Sequence, residues 1–185
     1  MRLLSVNVGT PRKIGRVSPR EKEVVSAIVK KPVKGPVAVR KVNLDGDRQA
    51  DLTAHGGVDQ AVYAYPSEHY AYWTERFPHV DMPPGTFGEN LTTEGLLEET
   101  VRVGDRFVIG SAEFEVTKPR LPCYKLGIRF GTQKMIKAFL DSGRTGFYLK
   151  VVREGRVQAG DAVTPTTRGT SGTIASVVRK AKKKE

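Results

Sequence analysis

The 185-residue sequence holds one cysteine, Cys123. That excludes an internal disulfide and any zinc or iron–sulfur site built from several thiolates. No run of 18 apolar residues occurs, so the sequence carries no signal for a transmembrane helix. The opening residues, Met1-Arg2-Leu3-Leu4-Ser5-Val6-Asn7, turn polar too soon for a secretory leader. A lone thiol without an export signal predicts a cytoplasmic protein with no membrane partner. Familiar nucleotide and catalytic signatures are missing as well. There is no GxxxxGK[ST], which excludes a P-loop nucleotidase, no GxGxxG for a dinucleotide fold, no GxSxG serine elbow and no HExxH.

Charge is plentiful but unevenly spread. The net charge is +11. Residues 11–41 contribute +8 and residues 168–185 contribute +5, whereas 42–167 is slightly acidic at −3. Two segments therefore supply the excess. Nucleic acid is not the expected partner, although a basic RNA-binding barrel remains the reading that the charge alone would suggest. The tail Arg179-Lys180-Ala181-Lys182-Lys183-Lys184 reads as a solvated end that buries little.

Short apolar runs dominate. Leu4, Val6 and Val8 alternate, as do Val37 and Val39. Phe107 and Ile109, then Phe114 and Val116, alternate across Gly110-Ser111, which predicts a tight hairpin. Phe147–Val152 is aromatic and β-branched, hence a strand. Gly-Asp recurs at 46–47, 104–105 and 160–161 between such runs, as turns of a small barrel would. Helices are predicted over 66–77, where Tyr70, Trp73 and Phe77 share a face, and over 132–140, with Gly143 as a stop. The expectation is a mostly β (α+β) domain over 1–168, followed by a basic tail, linker or short helix over 169–185.

The most distinctive chemistry is Lys118-Pro119-Arg120-Leu121-Pro122-Cys123-Tyr124-Lys125. Prolines on both sides of Arg120 restrict the backbone, and two cations flank the thiol. A positive field favours the thiolate, which can act as a nucleophile, carry sulfur or bind a soft metal. A buried cysteine acting as a small hydrophobe is the plain alternative. Between 47 and 59 the chain gathers Asp47, Asp51, His55 and Asp59, with Gly56-Gly57 able to pass close to a ligand. An ordinary polar loop would look the same. Asn90 could meet a flat heterocycle or simply close its turn. Ser26 and Lys30 could hold a phosphate or belong to a solvated basic strand, and Gly143-Arg144-Thr145-Gly146 has the look of an anion-binding turn. The tyrosines at 63, 65, 70 and 72, with Trp73, fit a core face better than a stacking platform.

Taken in order, Ser26–Lys30, Gly46–Asp51, His55–Tyr70, Phe87–Thr93 and Pro119–Leu126 resemble the MOSC domain, named for the C-terminal part of molybdenum-cofactor sulfurases, and within it the YiiM-like group. The resemblance runs from about residue 1 to 167. It implies a β-barrel-like domain with peripheral helices and a pterin-bound molybdenum cofactor. It further implies an oxidoreductase that reduces small N-hydroxylated compounds with electrons from an external reductase. On that basis Cys123 would be the molybdenum ligand or carry sulfur, and His55 and Asp59 would join it as catalytic residues. Ser26, Lys30, Asp47, Asp51, Asn90, Arg120, Lys125 and Arg144 would line or hold the cofactor. Pyridoxal phosphate is not expected, because the desulfurase domain that carries it in sulfurases has no room here. A sulfur carrier or cofactor-handling protein without turnover of its own is the alternative. The true substrate, the electron donor and the oligomeric state stay open.

Overall fold

In the computed structural model, which describes residues 1–48 and 56–182, β-branched and aromatic runs pair into sheets and the Gly-Asp sites make turns. The first half of the chain runs through β1 (Arg2–Val8), β2 (Arg12–Gly15), β3 (Val24–Ser26), β4 (Lys31–Pro32), β5 (Val37–Arg40) and β6 (Asn43–Leu44). Then come β7 (Val62–Pro66), α1 (Tyr70–Arg76) and β8 (Leu91–Glu94). The second half has β9 (Arg106–Ile109), β10 (Ala112–Pro119), α2 (Tyr124–Arg129) and α3 (Lys134–Ser142). It ends with β11 (Phe147–Arg153), β12 (Gly155–Val157), β13 (Val163–Thr167) and α4 (Ile174–Lys182).

Eight strands form one sheet in the order β13-β9-β10-β11-β7-β8-β1-β4, antiparallel except for β7 beside β8. Two smaller sheets, β12-β5-β6 and β2-β3, complete the set. The large sheet curls until β1 nearly meets β13. The Leu3 amide donates to the Asp161 carbonyl at 2.9 Å and the Val163 amide to the Met1 carbonyl at 3.1 Å. That seam is one isolated bridge rather than a ladder, so the barrel stays open. The Gly110-Ser111 hairpin forms as the alternation predicts, with Ala112 opposite Ile109.

Three local expectations change. In β1 a bulge between Leu3 and Ser5 breaks the strict alternation. Leu3 and Val6 are fully buried, and Leu4 turns outward. The predicted helix over 66–77 starts as a 3-10 turn, Ser67–His69, before α1. The tail is the largest change. α4 docks Ile174, Ala175 and Val178 into the core, so the expected break at 168 does not end the packed domain. Thr173 lies opposite Arg102 in an isolated bridge that starts this docking.

The core has two parts. One fills the inside of the curled sheet with Leu3, Val6, Leu91, Phe114, Val116, Phe147 and Leu149. The other is aromatic and packs Tyr63 and Tyr65 against the helices through Trp73, Phe87, Phe130 and Phe139. Trp73 Nε1 donates to the Tyr65 hydroxyl at 2.7 Å, so the buried indole N–H is satisfied. As expected, these aromatics serve as packing. The edge of this second core, where β10 runs into α2, is where a pocket opens.

Candidate functional site

Strand β10 ends at Pro119, which pairs with Phe147. The chain then crosses Arg120–Pro122 without regular structure, and Cys123 sits in extended conformation just before α2. The prolines explain the stop, since each removes an amide donor and fixes φ. The short helix α2 had no clear sequence signal, because Tyr124–Arg129 is only six residues long and contains a glycine.

A pocket of about 320 Å³ opens here. Cys123, Ser26, Lys30, Asp47, Asn90, Arg120 and Lys125 all line it, although they are scattered over a hundred residues of sequence. Cys123 is half-buried. The structure separates the other candidates. Asp59 is exposed and faces a neighbouring groove. Arg144 lies with its guanidinium 4.0 Å over the Tyr72 ring. Asp51 and His55 lie outside the described residues. Ser26 and Lys30 were expected along one strand, but β3 ends at Ser26, and an irregular stretch brings Ile28 and Lys30 to the same wall.

Arg120 is the unusual group. It is 6% exposed and donates from Nη1 to the Phe87 carbonyl at 2.6 Å. Its guanidinium lies 4.9 Å over the Tyr63 ring. Among the described residues it has no carboxylate ion-pair partner. Burial works against its charge, yet its pKa lies above the ordinary range because Tyr63, Tyr148 and Cys123 favour the cation. A buried cation without a carboxylate is costly unless an anion or a polarisable group offsets it. The Phe87 carbonyl and the Tyr63 and Phe139 ring faces are the partners it has among the described residues.

Lys30 behaves differently. It forms an ion pair with Asp47, both side chains being nearly inaccessible. Burial lowers its pKa, and Asp47 opposes the shift. Asp47 also accepts the Gly9 amide at 2.8 Å and Asn90 Nδ2 at 2.9 Å. Asn90 in turn accepts the Tyr63 amide at 3.1 Å. Asp47, Lys30 and Asn90 are thus tied to one another and to the backbone, so they shape the wall. Arg48, Lys118 and Lys125 add further positive charge to the lining.

Sequence reasoning missed four groups. Tyr148 lines the pocket, and burial raises its phenol pKa, so it stays protonated well above neutral pH. Tyr63 was read as core, and it does both jobs: it packs, donates to the Thr145 carbonyl at 2.8 Å and faces the cavity. Gln60 and Arg48 complete the lining. Behind the wall stands Glu89, which is fully buried. It accepts the Gly85 amide at 2.7 Å, the Phe87 amide at 3.1 Å, the Thr92 hydroxyl at 3.0 Å and the Tyr70 hydroxyl. It thereby fixes the 85–90 turn whose Phe87 carbonyl holds Arg120. Glu89 was visible as part of Gly88-Glu89-Asn90, but its inward direction was not.

The curled, open sheet brings one thiol and several cations together at one pocket. The MOSC domain family model matches residues 51–164. The uncharacterized protein YflK of Bacillus subtilis is 42% identical over 92% of this chain and 75% of its own length. A protein named reductase from Gibberella moniliformis is 36% identical over 76% of this chain but only 26% of its own length. The crystal structure of YiiM from Geobacillus stearothermophilus superposes with a TM-score of 0.78 at 35% identity, covering 97% of this chain and 83% of that one. The chain belongs to the MOSC domain family. Its mostly β fold is the YiiM type. No helix among the described residues is long and apolar enough to cross a membrane.

Proposed function

We propose that the protein binds a molybdenum cofactor in the Cys123 pocket and reduces small N-hydroxylated compounds with electrons from an external reductase. The observation that carries this reading is that Cys123 and Arg120, a buried guanidinium with no carboxylate partner among the described residues, line the same pocket. The name of the Gibberella relative supports a reductive role, although the matched segment is about a quarter of that protein.

The donor set suits the group. Cys123 is the one thiol of the sequence and lines the pocket, so a soft metal here would take that sulfur and bring other ligands with it. Thiolate is the soft donor such a metal accepts. Arg120, Arg48 and Lys125 would hold anionic oxygens of the cofactor, with Asp47, Asn90 and Ser26 shaping the wall. When bound, the cofactor supplies the two-electron chemistry, in which R–NHOH, two electrons and two protons give R–NH2 and water.

The chain's own residues then have distinct roles. Cys123 binds. Arg120 would keep the Cys123 side of the pocket electropositive, because the Phe87 carbonyl and the Tyr63 face hold it in place. Tyr148, held protonated by burial, can donate a hydrogen bond to an oxygen in the cavity. His55 as a proton carrier and the cytoplasm as the location are part of the same proposal.

Protein made in a host that produces the cofactor tests it. The expected result is near one molybdenum per chain and reductase-dependent loss of an N-hydroxylated purine. Cys123→Ser should remove the metal while the unfolding transition is kept. Cyanide-releasable sulfur without metal would instead establish the sulfur-carrier alternative.

A further inference from the structure

Beside the thiol pocket lies a second groove, of about 610 Å³, that the function above does not use. The two share one wall. Gly56 and Gln60 face the thiol pocket, Asp59 faces the groove, and Lys118 lines both. That wall is pinned, since the Thr117 hydroxyl donates to the Asp59 carbonyl at 2.7 Å. The floor of the groove is a charged triad. Glu115 accepts from Arg106 at 2.8 Å and from Lys150 at 2.7 Å, so one carboxylate is shared by two cations. Lys118 has no carboxylate partner among the described residues. Arg168 reaches in from the far side, paired with Asp105 at 3.0 Å.

We propose that this groove is a phosphate subsite and that the substrate is a nucleotide, its phosphate lying over Lys118, Lys150 and Arg106 and its base directed across the shared wall towards Cys123. The triad carries a net positive charge, and Lys118 adds to it. A phosphate dianion offers the several acceptor oxygens that such converging donors can share. A free base would leave the groove idle.

The substrate half of the inference rests on the reductase reading, whereas the binding half does not. Calorimetric titration of the full chain with adenosine 5′-monophosphate, adenosine and inorganic phosphate tests the binding half. The monophosphate should bind about tenfold more tightly than adenosine or inorganic phosphate. Lys150→Ala should abolish that advantage and leave adenosine unchanged. Glu115→Gln should act in the opposite direction and tighten monophosphate binding several-fold, because it frees both cations. A purely structural role for Glu115 would not produce that gain. Monophosphate affinity unmoved by both variants would overturn the groove assignment, and inorganic phosphate binding as tightly as the nucleotide would overturn the bridging ligand. In the cofactor-loaded protein, KM for an N-hydroxylated purine nucleoside 5′-monophosphate should fall below that of its nucleoside, and equal values would overturn the substrate assignment. Absence of all turnover would sink the reductase reading alone, because the titrations still decide the groove.

Discussion

Asp47→Asn offers a sharp test of how the pocket wall is held. Asp47 and Lys30 have side chains 2% and 8% exposed and form an ion pair. Neutralising the aspartate leaves an ammonium buried without its counter-charge. It also turns an amide N–H2 towards Asn90 Nδ2, which now donates to Asp47 at 2.9 Å. Breaking a buried pair in this way costs about 3–5 kcal/mol, a large share of the roughly 5–15 kcal/mol that holds a domain folded. Removing both charges with Lys30→Met and Asp47→Asn should cost less than the aspartate change alone, since replacing a buried pair by apolar groups is often neutral. Urea unfolding of the wild type, both single variants and the double variant closes the cycle. A coupling above about 2 kcal/mol is expected. Asp47→Asn within about 1 kcal/mol of wild type would refute the reasoning, because it would mean that Lys30 does not depend on Asp47. The pH response has a definite sign. Burial lowers the Lys30 pKa in the folded state, so the unfolded chain binds more protons between that value and 10.5, and stability rises with pH across that window. Lys30→Met should flatten this rise.

Other outcomes follow from the same packing. Burial raises the Glu89 pKa above 4.5, so its contribution is greatest below that pH and is lost as pH rises through the folded value. Glu89→Gln should gain stability relative to wild type between pH 4 and 8, and a difference that stays flat in urea melts would contradict this. Phe139→Ala should cost about 3–5 kcal/mol in the same assay, because Phe139 is fully buried and stacks on Trp73 with ring centres 5.7 Å apart. Truncation after Arg168 should weaken or abolish cooperative unfolding, since it strips Ile174 and Val178 from the core.

The lone cysteine, the prolines around Arg120 and the Gly-Asp turns were legible because each acts locally through chemistry or backbone geometry. Lys30, Asp47, Asn90 and Arg120 could be picked as polar residues in short motifs, but not their partners. The pairing of Lys30 with Asp47 and of Arg120 with Phe87 depends on chain crossings far apart in sequence. Tyr148 escaped for a related reason: its strand reads as β whichever face the ring takes. The inward turn of α4 was hidden by its own charge. Six residues of Lys and Arg over 168–185 outweigh the three apolar side chains that dock.

The seam between residues 1–3 and 161–163 has a consequence for folding. β1 meets this neighbour only across about 160 residues of intervening chain. Until then β1 waits with one end uncovered, and its assembly must be slow relative to a helical protein of equal size.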